Sequence, residues 1–442
     1  MAGIFKAYDI RGLYPSELNE DLAYKIGFCF SKLIGKGTVV VGRDMRVSSL
    51  PIFQHLTAGL MDAGLDVIDI GLVSTPVIAF STGHYQYDAG IMVTASHNSK
   101  EYNGLKMSKK GAYPISYETG IAALEDKVIN FKKPSKLGKK GKIYTKEVIE
   151  DYLQHVLKFA RKIKKMKIVV DAGNGMAGLM VPKLAKFLPC TIIPLYFELD
   201  GTFPHHDANP LEPKNMKDLV EAVKREKADL GAAFDGDADR VMFVDNEGGV
   251  VSADLTTALI AHEFLRHHPG ETILYDLRSS QIVKEVVEKM GGKSQMCRVG
   301  HAFIKQALRE SGGVFAGELS GHYYFRDNFF ADSALIAFVM ILNVLSEEKA
   351  SLSKMISPLK KYYATGEVNS RVKDPDALMK LAEKKYASGK VFFLDGLSVE
   401  FSDWWFNLRK SNTEPLLRLN VEANSQSLLK EKSEELLQLI RQ

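Results

Sequence analysis

The sequence predicts an α/β protein: three related mixed α/β domains followed by a smaller C-terminal α+β domain. Three observations predict it. Short β-branched apolar runs recur, each ending in a loop that carries Asp and each followed by a helical pattern. A second unit also recurs, in which a small-residue strand enters a polar loop and an apolar strand returns. From about residue 360 this alternation stops.

The first domain is expected over 1–145. "GTVVVGRD" (37–44) has the length and β-branched content of a buried parallel strand, and "SSLPIFQHLTAGLMDAG" after it carries apolar residues at helical spacing. "AGIMV-TASHN…NGLKMS" is the first strand–loop–strand unit. Residues 131–146, "FKKPSKLGKKGKIYTK", hold seven lysines, one proline and two glycines, the composition of an exposed linker. The second domain, 146–248, opens with "MKIVVDAG" and closes with "LGAAF-DGDAD-RVMFVD". The third, 249–358, repeats the pattern with "ETILYDLR" and "GGVFA-GELSG-HYYFRD"; its run "ALIAFVMIL" is too short to span a bilayer and reads as a buried helix. The last domain, 359–442, contains "KVFFLDGLSVEFSDWWFNLRKSNTEPLLRLNVEA" and a Leu/Glu-rich terminal helix.

The bulk numbers narrow the function. With 45% apolar and 25% charged residues the chain is an ordinary globular one, and 442 residues favour several domains. A net charge of +4 is mild; it suits anionic small molecules and does not suggest nucleic acid. Three scattered cysteines fit no metal motif and read as reduced thiols. No basic and apolar leader is visible at the start, so a cytoplasmic protein with no membrane partner is expected; oligomeric state is open.

The polar loops carry the chemistry. In "FDGDADR", Asp235, Asp237 and Asp239 alternate, so a tight loop turns three carboxylates toward one point, where they repel unless a cation sits among them. Oxygen ligands suit Mg²⁺. An EF-hand would need Gly and Glu where this loop has Arg240 and Asn246. In "TASHN" (94–98), Ser96 is the candidate nucleophile among Thr94, His97 and Asn98, with Lys106 ten residues on; no G-x-S-x-G elbow is present. "GELSGH" sets Glu318 and Ser320 two apart, suited to sugar hydroxyls, with His322 following and His301 nearby in "RVGHAFIK". "RKSNTEP" groups Arg409, Ser411, Asn412 and Thr413 as a phosphate cradle. "VVDAGNGMAG" is a competing signal. Gly173, Gly175 and Gly178 spell G-x-G-x-x-G after a strand, with Glu198 and Asp200 at dinucleotide spacing, which keeps a nicotinamide-dependent oxidoreductase as an alternative. Against it, Asp171 would face the pyrophosphate.

Taken together and in order, "YDIRG" with Arg11, "TASHN", "DGDADR", "GELSGH" and "RKSNTEP" resemble the α-D-phosphohexomutase family over essentially the whole chain. The resemblance implies four domains around a central active-site cleft, one loop from each lining it. It implies a phosphoserine at Ser96 and Mg²⁺ held by Asp235, Asp237, Asp239 and an oxygen on phosphorylated Ser96. Lys106 and Arg240 would assist transfer. Arg409, Ser411, Asn412 and Thr413 would hold the phosphate that is not transferred, and Glu318 and Ser320 the sugar hydroxyls. Arg11, Arg278, His301 and His322 align with substrate contacts. The implied activity interconverts hexose 1-phosphate and hexose 6-phosphate through a hexose 1,6-bisphosphate. "GE-apolar-SG", with Leu319 where glucosamine enzymes tend to carry Gln, favours mannose, with glucose also acceptable and phosphoglucosamine mutase as an alternative. Three departures stand out: Ser99 in place of a frequent proline, Ala238 in place of a frequent glycine, and Arg278 in place of a frequent lysine.

Overall fold

The structure, a computed structural model, describes residues 3–410 and 416–441. Its first three sheets share one plan. In the first, the strands run in the order Ile10–Leu13, Tyr102–Lys109, Ala89–Val93, Thr38–Arg43, Asp66–Leu72 and Ile143–Thr145. The second runs Val250–Val251, Val241–Asp245, Leu230–Phe234, Lys167–Asp171, Thr191–Leu195, and the third Ala331–Asp332, Tyr323–Phe325, Phe315–Gly317, Thr272–Asp276, Lys293–Cys297. In each, a parallel core strand (Thr38–Arg43, Lys167–Asp171 or Thr272–Asp276) lies beside a second parallel strand, which then pairs antiparallel with the strand returning from a polar loop. The repetition read from the sequence is therefore a repetition of topology.

Antiparallel return strands need only a tight loop between partners, whereas the parallel pairs need helical crossovers. The crossovers are the predicted helices, among them Ser49–Asp62, Ala177–Ala185 and Gln281–Lys289. The Asp that ends each core strand has one repeated local role. Asp44 Oδ1 accepts from Arg46 N at 3.1 Å, Asp171 Oδ1 from Gly173 N at 2.8 Å, and Asp276 Oδ1 from Arg278 N at 2.7 Å. A short carboxylate that bonds the amide two residues on turns the chain off the strand.

The lysine-rich segment is not wholly a linker. Its end, Ile143–Thr145, joins the first sheet as an edge strand parallel to Asp66–Leu72, and Lys140 pairs with Asp62 at 2.9 Å. Three exposed side chains in that strand explain why it lacks an apolar signature. The run at 334–342 lies in the helix Ala334–Glu347, buried on nearly all sides in a core continuous through the second and third domains. A helix apolar all round belongs inside a protein. No helix among the described residues is long and apolar enough to cross a membrane.

The C-terminal domain is different. Its sheet, Tyr363–Ala364, Leu416–Ala423, Trp404–Lys410, Leu397–Glu400, Lys390–Phe393, is antiparallel throughout and has a separate core under the helices Pro375–Lys385 and Gln426–Ile440.

Candidate active site

The buried strand Ala89–Val93 ends at Thr94, and two residues later Ser96 adopts φ 51°. A left-handed conformation costs a non-glycine residue on the order of 1 kcal/mol and persists only where the surroundings impose it. Thr94 Oγ1 accepts from Ser96 N at 2.9 Å, and Asn98 N closes the turn on Ala95 O at 3.0 Å. The larger constraint is Arg46, a residue that the sequence reading did not single out. Its guanidinium donates to the carbonyls of Ser96 (2.8 Å), Asn98 (2.6 Å), Ser99 (2.7 Å) and Tyr102 (3.1 Å). It pairs with Asp44 at 3.2 Å and lies over the Phe203 ring, and its side chain is fully buried. The Ser99 carbonyl is thus part of this clamp. The only hint in the sequence was "GRDMRVSS", an Asp between two arginines at a strand end.

The acidic loop is the tip of the hairpin between Leu230–Phe234 and Val241–Asp245. Asp239 N and Arg240 N both donate to Asp235 Oδ1 at 3.1 Å, which folds the tip back on its first carboxylate. Ala238 sits at φ 54°, a left-handed conformation that glycine adopts without strain. All three aspartates are buried, and one carboxylate oxygen from each falls within 4.8 Å of the others. Asp235 Oδ2 accepts from Ser96 Oγ at 2.9 Å. Asp237 Oδ2 accepts from Thr75 Oγ1 at 2.5 Å and Lys106 Nζ at 2.8 Å, and Lys106 also pairs with Asp239. Burial, then Asp239 and Asp237, push the Asp235 carboxyl well up. Burial opposes the charge of Lys106, but Asp237, Asp239 and Asp235 outweigh it and hold the ammonium protonated.

Asp237 Oδ1 is buried and accepts no hydrogen bond, and Asp239 Oδ1 has only the His322 ring, at 3.3 Å. Buried carboxylate oxygens without a partner are expensive. The three carboxylates also converge on one point, where they repel one another unless a cation sits among them. Both features fit a hard divalent cation such as Mg²⁺.

The G-x-G-x-x-G run has a different job here. Gly175 leaves room for the main chain of Gly236 in the acidic loop, and Met176 N donates to Gly236 O at 2.9 Å. Gly178 does the same for the main chain of Phe197. Asp171 is occupied by Gly173 N and by His206 at 3.1 Å. Gly175 therefore packs the acidic-loop hairpin and Gly178 the segment at Phe197, so both close approaches are made by the protein's own main chain.

From the third domain, Glu318 accepts from Tyr324 OH at 2.6 Å and pairs with Arg278 at 3.4 Å. Arg278 is held in turn by Asp276 through two nitrogens, at 2.9 and 3.2 Å. His322 meets Ser320 Oγ at 2.9 Å and Asp239 Oδ1 at 3.3 Å, and Arg240 Nε lies 3.3 Å from its ring. Burial and Arg240 depress its pKa, yet Asp239 and Glu318 raise it to about 9. Main-chain bonds join the two loops as well, Val241 N to Gly321 O at 3.1 Å. His97 is driven the other way, by Arg240, burial, Arg11 and Lys106, and is neutral beside Ser96. His301 begins the helix His301–Ser311 and is kept neutral by burial and by Lys305, Lys106 and His322. It lines one cavity with Thr75, Lys106, Asp239, Lys305 and Asp332.

Arg11 donates to Asn98 Oδ1 at 2.7 Å. Arg409, nearly buried at the end of the strand Trp404–Lys410, pairs with Glu367, which also pairs with Arg418 at 3.2 Å and reaches Arg278 at 3.9 Å. Ser411, Asn412 and Thr413 lie outside the described residues. The structure thus brings Ser96, Lys106, the three aspartates, Arg240, His301, Glu318, Ser320 and His322 into one connected neighbourhood, with Arg11 at one end and Arg278 and Arg409 at another. Arg46, Thr75, Asp276 and Glu367 complete it without having been expected.

Four family profiles match the chain in order. They are described as phosphoglucomutase/phosphomannomutase alpha/beta/alpha domain I (residues 2–133), domain II (150–249), domain III (252–362) and C-terminal domain (367–439). Among curated relatives, the chain is 40% identical over 447 residues to "Phosphohexose mutases" of Xanthomonas campestris pv. campestris, covering 99% of both. It is 41% identical over 457 residues to a "Phosphomannomutase" of Vibrio cholerae, covering 99% of this chain and 98% of that one. A solved structure of a phosphoglucomutase/phosphomannomutase family protein from Burkholderia thailandensis superposes with a TM-score of 0.92 at 34% identity, over 100% of this chain and 97% of that one.

Proposed function

The chain belongs to the phosphoglucomutase/phosphomannomutase family and is a phosphohexomutase, an isomerase that moves phosphate within a sugar phosphate; from that premise we propose that transfer runs through Ser96. The single observation that carries this reading is the seat of Ser96: a strained, clamped serine whose Oγ donates to the first aspartate of the acidic cluster at 2.9 Å. A phosphoryl group on that oxygen would lie against the cluster, with the Arg240 and Lys106 cations beside it.

The steps follow from these side chains. Phosphorylated Ser96 gives its phosphoryl group to the free hydroxyl of hexose 1-phosphate or hexose 6-phosphate. One P–O bond forms as the bond to Ser96 Oγ breaks; the hydroxyl loses its proton and Ser96 Oγ gains one. Lys106, protonated at Nζ, is the group we assign to this exchange: it gives its proton to Ser96 Oγ, and the amine so formed takes the proton that the sugar hydroxyl loses. The hexose 1,6-bisphosphate then turns end for end and returns its other phosphoryl group to Ser96. Arg240 offsets negative charge on the transferring group. Mg²⁺, held by Asp235, Asp237, Asp239 and a Ser96 phosphoryl oxygen, would add charge stabilisation at the same point. Glu318, Ser320 and His322 bind sugar hydroxyls; a protonated His322 and an ionised Glu318 supply a donor and an acceptor side by side. Arg409, with Ser411, Asn412 and Thr413, grips the distal phosphate, and Arg11, Arg278 and His301 line the substrate. Mannose phosphates are the favoured substrates, glucose phosphates acceptable ones, and a coupled assay on mannose, glucose and glucosamine 1-phosphates ranks them.

The test is labelling. Incubation with a hexose 1,6-bisphosphate carrying labelled phosphate is expected to label the wild type and not Ser96→Ala, and turnover of that folded variant to fall by several orders of magnitude. Equal label on Ser96→Ala would remove Ser96 from the mechanism.

A further inference from the structure

Away from the cleft, two helices of the third domain bring their last turns together. Glu263 and His267 are one turn apart on the helix Ala253–His267, so their side chains share a face. Glu347 is the final residue of the helix Ala334–Glu347, which packs against it. His267 Nε2 lies 3.2 Å from Glu347 Oε1 and 3.5 Å from Glu263 Oε1. The three ligand atoms form one compact group.

Glu263 is the anomaly. It is 1% exposed, and burial followed by the neighbouring Glu347 charge raises its pKa. Its Oε1 accepts no hydrogen bond; Arg161 Nε forms an ion pair with it at 3.3 Å without hydrogen-bond alignment. A buried carboxylate oxygen aimed at an imidazole and a second carboxylate is a ligand set in want of an ion. The spacing agrees. Donors bound at about 2.0–2.1 Å around a tetrahedral ion sit roughly 3.3–3.4 Å apart. Both helix C-termini present the negative end of the helix dipole, which favours a cation. Arg266 holds the other oxygen of Glu347 at 2.9 Å, the kind of outer contact that orients a metal-binding carboxylate.

We propose that Glu263, His267 and Glu347 form a second metal site, for a zinc-class divalent ion, that fastens the last turns of these two helices. One imidazole nitrogen with two carboxylates suits zinc rather than Mg²⁺, which takes oxygen. His267 and Glu347 are partly exposed, at 28% each, leaving a fourth position for water.

The experiment is a Zn²⁺ titration of the full chain in excess Mg²⁺, by calorimetry and by thermal melting, on the wild type, His267→Ala and Glu347→Gln. The wild type is expected to take up one more equivalent of Zn²⁺ than either variant, and Zn²⁺ is expected to raise the melting temperature of the wild type alone. Glu347→Gln keeps the shape of a partly exposed residue and so guards against a variant that fails to fold. Equal uptake and equal melting shifts in all three proteins would overturn the site and leave His267 as an ion-pair partner of the two carboxylates only.

Discussion

Replacing Arg46 by Met tests whether one buried guanidinium holds the serine loop. Met keeps most of the volume and removes the charge. Four main-chain carbonyls, of Ser96, Asn98, Ser99 and Tyr102, lose their donor, and Asp44 loses its counter-ion. Removing one member of a buried ion pair costs about 3–5 kcal/mol. Each carbonyl left dry adds about 1–3 kcal/mol, though the losses are not additive because the loop can relax toward water. A net cost of at least about 3 kcal/mol lowers the melting of the first domain by roughly 10 °C. The penalty also has a pH sign. Burial pushes the Asp44 carboxyl up, and Arg46 holds it down. Even with Arg46 in place its folded pKa lies above the unfolded value, and without Arg46 it rises further, so the variant loses further stability as pH rises and recovers some as pH falls. Asp44→Asn combined with Arg46→Met removes the stranded charge and should regain part of the loss. Arg46→Lys should not rescue activity, because one ammonium with three donors cannot reach four carbonyls spread along a loop. The assays are differential scanning calorimetry from pH 5 to pH 8 and coupled mutase turnover. An Arg46→Met variant that melts within about 2 °C of wild type and keeps its turnover would refute the clamp.

Two further perturbations separate binding from folding. On the proposed role of Arg409, Arg409→Ala removes a charge-assisted phosphate contact worth about 1.5–3 kcal/mol, so sugar-phosphate affinity should fall about 10- to 100-fold while affinity for the unphosphorylated sugar stays put; unchanged sugar-phosphate titrations on the folded variant would place the cradle elsewhere. His155, among Phe80 and Phe329 and 3.2 Å from Asn328 Oδ1, has its pKa pushed down to about 4 by burial and Lys158. The unfolded chain therefore takes up this proton first as pH falls from about 6.5, and stability present above that pH is lost on the way to 4, at most about 2 kcal/mol of it between pH 7 and pH 5. Urea melts of wild type and His155→Phe should show their stability difference shrinking at pH 5, and a difference independent of pH would count against a buried neutral His155.

Much of this molecule is written locally in its chain. The β-branched runs at 37–44, 166–173 and 271–278 became core strands because a buried parallel strand needs only a short apolar stretch, and that is a local property. The alternation of Asp235, Asp237 and Asp239 sits within one hairpin tip, so its convergence was legible too. The edge strand Ile143–Thr145 was not, since a strand exposed on its faces carries no apolar pattern and is defined by its neighbour alone. The G-x-G-x-x-G run shows the same limit from the other side. A glycine records that something comes close, and only the fold decides that the visitor is the main chain of Gly236 and not a phosphate. Arg46 reaches carbonyls 50 to 56 residues away, and Glu367 joins arginines 42 and 51 residues ahead of it. Main-chain carbonyls have no sequence identity, and an ion pair between residues far apart in the chain leaves no periodicity, so these contacts exist only once the first sheet and the C-terminal sheet have folded.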